Sequence, residues 1–227
     1  MKSIFIVLPA FNEEKVIGKV LETLSKELSK IKNIDFKVVV VDDGSWDNTS
    51  LIAKKKKVCV LRHPINRGLG GSLATGMEFA KRQKADYLVT LDADGQHDPQ
   101  DIKKILSPLI GEKADVVIGI RDLKKMPFDR KLMTFFSSCL TFLLFGVYCS
   151  DTQSGFRGFN KKAIKNIKIK TQRMEVSSEF FHEIKKFKLK LVEIPIKVIY
   201  TAYSREKGQK NVNAIKILVK LILRLFR

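Results

Sequence analysis

Short apolar runs alternate with amphipathic stretches along the first half of the chain. Ser3–Leu8 is one such run, closed by Pro9. Asn12 is placed to cap a helix that continues through Val16, Val20, Leu21 and Leu24. Phe36–Val41 is a second apolar, β-branched run, and Asp47-Asn48-Thr49 opens another short helix. Val58–Leu61 reads as a third strand, Ser72–Lys84 as a helix and Tyr87–Leu91 as a fourth strand. Asp98-Pro99 begins a helix reaching about Ile110, with proline in the first turn, and Ala114–Ile120 is a fifth strand. Continuous apolar strands separated by helices predict a mostly parallel sheet covered on both faces, an α/β fold.

The pattern then changes. No charged residue occurs from Leu132 to Ser150. Within this stretch Thr134, Ser137, Ser138 and Thr141 fall at i, i+3, i+4 and i+7, and the remainder is mostly Phe and Leu. That spacing predicts a helix with a narrow hydroxyl face. Leu132–Tyr148 is at the lower limit for crossing a bilayer, and its hydroxyl stripe favours a helix lying at an interface, near 131–148. A helix around Ser177–Lys186 follows, then strand-like segments at Leu189–Ile194 and Lys197–Tyr200, and a last helix from about Asn213.

Charge sharpens this division. The net charge is +19, of which residues 1–120 carry 19 Lys+Arg against 16 Asp+Glu, and residues 121–227 carry 24 against 8. The second half is therefore expected to meet an anionic partner, unless the lysines are simply solvated surface. Its basic patches have neither interleaved aromatics nor a nucleic-acid motif, which argues against nucleic acid. A stripe of Lys216, Lys220, Arg224 and Arg227 beside Ile, Leu, Val and Phe instead predicts a basic amphipathic helix on an anionic membrane surface. The same stripe also suits a helix docked on the domain with its lysines outward. Cys59, Cys139 and Cys149 form no CxxC and are expected in the core of a protein kept in a reducing compartment. Ile4–Leu8 is too short for a signal peptide. The predicted organisation is one catalytic unit over 1–210 and the basic helix over 211–227.

Polar residues gather where the predicted strands end: Pro9 to Glu14, Asp42-Asp43-Gly44-Ser45, Asp92 to His97, and Gly119-Ile120-Arg121. Each suits an ordinary turn. Together they lie on the rim where α/β sheets bind ligands. Asp92-x-Asp94 can hold a hard divalent cation at a diphosphate, with Gln96 adding a carbonyl oxygen. Gly68-Leu69-Gly70-Gly71 fails as a dinucleotide fingerprint, because Leu73 stands at the third glycine. His97 and His182 lack the neighbours of a zinc site.

These segments, with Asp47, Thr49 and Asn66-Arg67-Gly68, resemble the successive signatures of family-two glycosyltransferases of the GT-A fold. Gly119-Ile120-Arg121, Arg130-Lys131-Leu132 and Asp151-Thr152-Gln153-Ser154-Gly155-Phe156-Arg157 resemble the branch typified by dolichol-phosphate mannose synthase. The resemblance covers roughly 3–210. It implies a GT-A domain with membrane-facing amphipathic helices, and inverting sugar transfer from a nucleotide-sugar to a dolichyl or undecaprenyl phosphate. It implies that Pro9, Asn12, Glu13, Asp42, Gly44, Asp92 and Arg205 serve the nucleotide-sugar. Asp92, Asp94 and Gln96 would hold Mg²⁺ or Mn²⁺; Arg121, Arg130 and Thr134 would meet the acceptor phosphate; Asp94, Arg121 and Arg130 would carry catalysis. The stretch Arg205–Lys210 departs from the family's Arg-x-x-Gly-x-Ser-Lys by lacking the serine. The expected location is peripheral, on the cytoplasmic face of a membrane, with room for a membrane-anchoring partner subunit. Two other readings stay open: a same-fold enzyme that glycosylates a sugar or protein hydroxyl with Glu179 as base, and a non-catalytic nucleotide-sugar-binding module.

Overall fold

A computed structural model describes residues 1–122, 126, 128–173 and 175–199, apart from the side chains of Asp129 and Arg130. The expected helix over 211–227, Arg205 and the end of the expected strand at Tyr200 lie outside the described residues.

The strands are β1 (Lys2–Ala10), β2 (Ile34–Asp42), β3 (Cys59–Arg62), β4 (Tyr87–Thr90), β5 (Val116–Arg121), β6 (Arg157–Asn160) and β7 (Leu191–Ile196). The helices are α1 (Ile17–Leu28), α2 (Thr49–Lys55), α3 (Gly68–Arg82), α4 (Ile102–Ile110), α5 (Phe128–Phe145), α6 (Lys161–Asn166) and α7 (Val176–Lys186). One 3₁₀ turn, Pro99–Asp101, leads into α4, and Asp98 caps it by accepting Gln100 N–H at 3.0 Å.

The strands form one sheet in the order β3-β2-β1-β4-β6-β5-β7. All neighbours are parallel except β6, which runs antiparallel to both β4 and β5. The mostly parallel expectation holds, with this one inversion. Strand β1 is interior and buried: Ile4, Ile6 and Leu8 face a core shared with α1 and α4, while Phe5 and Val7 face α3, α6 and α7. Each such side chain contributes about 1.5–3 kcal/mol by leaving water, which fixes the register of β1 and hence its polar end.

Several expected details differ. β6 and α6 were not anticipated. Among the described residues beyond Ile196, 197–199, there is no strand; Val198 makes a single bridge to His97. Helix α3 begins at Gly68, four residues before the expected start. Of the cysteines only Cys149 is buried; Cys59 starts the edge strand β3 and Cys139 lies on α5, and both are exposed. Among the described residues no helix is long and apolar enough to cross a membrane.

Candidate active site

The parallel strands deliver β1, β2, β4 and β5 to one rim by their carboxyl ends. Strand order reverses between β1 and β4, the position at which open α/β sheets bind their ligands. Because β6 is antiparallel, it brings its amino end, and the loop before it, to the same rim. Arg157 pairs with Thr90 of β4 and Ile118 of β5.

The ends of β1 and β2 are laced together. Asn12 N–H donates to Ser45 Oγ at 2.9 Å, and Asn12 Oδ1 accepts from Trp46 N–H at 3.1 Å. Glu13 N–H donates to Thr49 Oγ1 at 2.7 Å. Asn12 therefore does not cap α1, as its position in the sequence suggested. It takes a left-handed backbone (φ 54°), spends its side chain on the neighbouring loop, and leaves Val16 at the N-cap. Asp42 is fully buried. Its Oδ1 accepts Ser45 N–H at 2.9 Å, while Oδ2, 3.4 Å from Arg62 Nε, accepts no hydrogen bond. Gly44 has φ +74°, and a Cβ there would lie 2.8 Å from the Ile65 carbonyl carbon. Pro9, near the end of β1, is half-buried beside this lacing. Asp43 does a job that the sequence did not single out. It sits 2.7 Å from His63 Nδ1 and accepts Arg67 N–H and Gly68 N–H at 2.9 and 2.7 Å, pinning the start of α3.

Asp92 and Asp94 follow β4. Asp94 accepts the backbone N–H of Gln96 at 2.9 Å and its side-chain amide N–H at 2.5 Å. Gln96 thus presents its amide nitrogen to Asp94. Asp92 rests on Gly155, where a Cβ would come within 2.3 Å of both carboxylate oxygens. His97 Nδ1, buried against Phe156, lies 3.8 Å from Asp92 Oδ2. Burial raises the Asp92 pKa and Asp94 adds to the push; His97, Arg157 and Arg121 oppose it. The Asp92 side chain nevertheless keeps 37% of its surface accessible, so the upward push of burial is partial.

This donor set fits a divalent cation. Two neighbouring carboxylates repel, one is reachable, and a cation removes the repulsion. Among the described residues no three His, Cys, Asp or Glu side chains converge. The chain would then supply few ligands, as magnesium sites shared with substrate phosphates do.

Arg121 ends β5 in a two-pronged pair with Asp151: Nε to Oδ2 is 2.7 Å and Nη2 to Oδ1 is 2.8 Å. The Arg121 backbone N–H adds a third bond to Asp151 at 3.1 Å. Asp151 is fully buried. The Asp151 loop is held in turn by α5. Ser137 Oγ meets Thr152 Oγ1 at 2.8 Å and accepts from Gln153 Nε2 at 2.8 Å; Ser138 Oγ donates to the Ser150 carbonyl at 3.3 Å. Thr134, buried, donates to Met126 Sδ at 3.7 Å. The hydroxyl face of α5 thus points inward. Its outer face exposes Phe128, Leu132, Phe135, Phe136, Phe142 and Leu143, with Leu143 79% exposed. An apolar groove of about 250 Å³ runs along this face between Phe128, Lys131, Leu132, Phe135 and Tyr148. The side chain of Arg130, on the first turn of α5, lies outside the described residues.

Glu179 is committed elsewhere. It accepts Lys170 N–H and Thr171 N–H, both at 2.9 Å, and the Thr171 hydroxyl at 2.6 Å. The strapped loop lies on the first turn of α3: Gly71 N–H donates to the Gln172 carbonyl at 2.9 Å, and a Cβ on Gly70 would sit 2.2 Å from the Thr171 carbonyl oxygen. Close packing of this loop accounts for Gly68 and Gly70, whereas a Cβ on Gly71 would meet Arg67 Cβ at 2.7 Å.

Comparison with known proteins agrees with this fold. The profile described as Glycosyl transferase family 2 matches residues 5–170. The chain belongs to this family. It is a glycosyltransferase with a GT-A-like fold. An uncharacterized protein of Methanocaldococcus jannaschii is 48% identical, over 97% of this chain and 91% of its own. The UDP-N-acetylglucosamine–dolichyl-phosphate N-acetylglucosaminyltransferase of Methanococcus voltae is 38% identical, over 98% of this chain and 96% of its own. Among solved structures, glucosyl-3-phosphoglycerate synthase from Mycobacterium tuberculosis, in complex with Mn²⁺, UDP and phosphoglyceric acid, superposes with a TM-score of 0.70. Its identity is 19%, over 97% of this chain and 78% of that one.

Proposed function

We propose that this glycosyltransferase moves a sugar from a nucleotide-sugar to a polyprenyl phosphate, with inversion, at a membrane surface. The observation that carries the reading is helix α5. Its inward hydroxyls grip the loop that clamps Arg121, and its outward face exposes Leu132, Phe135, Phe136, Phe142 and Leu143. A phosphate-competent arginine and a lipid-competent face are thereby joined by one element. The relative from Methanococcus voltae acts, by its name, on dolichyl phosphate, which supports the reading and makes UDP-N-acetylglucosamine the first donor to test.

A lipid phosphate is already anionic near neutral pH, so its oxygen can attack the anomeric carbon without a protein base. The bond from that carbon to the nucleotide diphosphate breaks as the new bond forms. Asp92 and Asp94 would hold Mg²⁺ or Mn²⁺, which neutralises charge on the departing diphosphate. Arg121, aimed by Asp151, would bind the acceptor phosphate through its planar guanidinium. The groove beside Phe135 and Tyr148 suits the first apolar units of the lipid, with Lys131 near its head group. The location implied is peripheral, on an anionic bilayer surface. The direct test is incubation with radiolabelled nucleotide-sugars and undecaprenyl or dolichyl phosphate, followed by organic extraction. Label confined to the aqueous phase across the whole panel would refute the reading.

Two further outcomes are expected. Glu179→Gln should lose about 1–2 kcal/mol of stability, because an amide replaces a carboxylate that accepts three hydrogen bonds. The folded fraction should keep its turnover. A stable but inactive variant would instead favour the hydroxyl-acceptor enzyme. Phe135→Asp with Phe142→Asp should weaken co-sedimentation with anionic vesicles at least about tenfold, since two exposed rings leave the bilayer. Unchanged sedimentation would move the membrane contact away from α5.

A further inference from the structure

The function of Arg157 is not explained by the mechanism above. Its guanidinium, on a side chain only 3% exposed, lies beneath the rim. Nε donates to the Ser154 carbonyl at 2.8 Å; Nη2 donates to the Thr152 carbonyl at 3.0 Å and to Ser177 Oγ at 3.2 Å. Its face lies 4.6 Å from the Phe180 ring centre. Nη1 is buried and has no hydrogen-bond partner.

The two carbonyls it holds bracket one turn of chain. The residue before Thr152 is Asp151, which grips Arg121. The residue after Ser154 is Gly155, on which the Asp92 carboxylate rests. Arg157 also sits in register between the two strands that carry these groups, opposite Thr90 of β4 and Ile118 of β5. We propose that Arg157 is a positioning residue that wraps the 151–155 turn around its guanidinium and so sets the metal-side carboxylate Asp92 and the acceptor-side pair Asp151–Arg121 in fixed relation.

Electrostatics agree. The charged groups that act on Arg157 are Asp92 and Asp151, besides Cys149. Burial pushes the Cys149 thiol up, so it is neutral and drops out. Burial also lowers the Arg157 pKa, to about 10, which leaves it a cation at neutral pH. A buried cation is costly unless its charge is balanced and its donors are used. Here two carboxylates that serve opposite substrates share that balance. A lysine would keep the charge but could not satisfy two carbonyls and a hydroxyl from one plane.

The test uses the full chain and Arg157→Lys, and rests on the functional reading for two of its measurements. Mn²⁺ affinity, read from the electron paramagnetic resonance of free Mn²⁺, should fall about tenfold. The apparent KM for undecaprenyl phosphate should rise about tenfold. A merely structural arginine would lower the melting temperature and the active fraction while leaving both constants of the folded enzyme unchanged. That result, or a change in only one constant, overturns the proposal. If Arg157→Lys does not fold, Ser177→Ala removes one contact of Nη2 and should move both constants two- to threefold; no movement overturns it. A third measurement needs no ligand. In urea unfolding, Arg157→Lys should fail to multiply with Asp92→Asn, and with Asp151→Asn, by about tenfold in the unfolding constant. Simple multiplication in either cycle overturns the proposal. A wild-type chain that neither binds Mn²⁺ nor labels the lipid defeats the functional reading, and the unfolding cycles then decide the role of Arg157.

Discussion

Asp94→Ala is expected to reduce sugar transfer about a thousandfold or more while the protein stays folded. Asp94 stands past the buried end of β4, not within it, and its contacts are local, to Gln96. Removing the carboxylate costs the fold little. It costs the reaction one of the two charged ligands that would hold a cation at the leaving diphosphate. Lewis-acid stabilisation of that kind amounts to several kcal/mol, and about 4 kcal/mol corresponds to a thousandfold in rate. Turnover should be measured across a Mg²⁺ and Mn²⁺ series, with circular dichroism as the control. A folded variant with full activity that resists chelation would remove the metal from the mechanism.

Gly155→Ala should cost about a hundredfold in turnover with a small change in melting temperature. Gly155 does not need a left-handed backbone, so the added methyl causes no conformational strain. Its effect is purely steric. The new carbon would come within 2.3 Å of both Asp92 oxygens. The 155 backbone cannot retreat easily, because Thr90 Oγ1 donates to the Gly155 carbonyl at 2.8 Å and β6 follows at once. The Asp92 carboxylate must move instead, by about an ångström, and a displacement of that size at a reacting centre commonly costs two orders of magnitude. Normal turnover in a folded Gly155→Ala variant would show that Asp92 tolerates the shift and has no fixed position to keep.

The two predictions draw on different kinds of legibility. The place of Asp94 past the end of β4 could be read directly from the sequence, because a run of Val, Leu and Thr closed by Asp-x-Asp marks a strand end. So could the parallel sheet, since β1, β2, β4 and β5 each announce themselves as apolar runs. Nothing local in the sequence sets Gly155 against Asp92 or Arg157 against the 152 and 154 carbonyls. β6 is only four residues long and its sequence, Arg-Gly-Phe-Asn, has no strand pattern; it is a strand because β4 and β5 leave a slot of the right width. Asn12 misled for the opposite reason. Its residue type is right for a cap, but the competing partner, Ser45, is thirty-three positions away and invisible to a local reading. Glu179 likewise looked like a candidate base because the loop that consumes it could not be placed from the chain. On α5 the helical period predicted the hydroxyl stripe. Which side of the helix faces the protein depends on Thr152, Gln153 and the Ser150 carbonyl, and only the tertiary structure supplies them.

The insertion of β6 between β4 and β5 also bears on how the molecule is made. Strand β5 leaves the ribosome with no neighbour to pair with, because β4, made just before it, is not adjacent in the sheet. Its two partners are β6 at 157–160 and β7 at 191–196. A nascent chain stopped after residue 121 would therefore carry an orphaned apolar strand, Val-Val-Ile-Gly-Ile, with both edges open. Closure of the catalytic rim must wait for a segment thirty-six residues downstream of Arg121, and final locking waits for β7. Such long-range pairing is slow. Truncations placed between β5 and β6 should aggregate, whereas a break in the exposed loop between α1 and β2 leaves every strand with its partner.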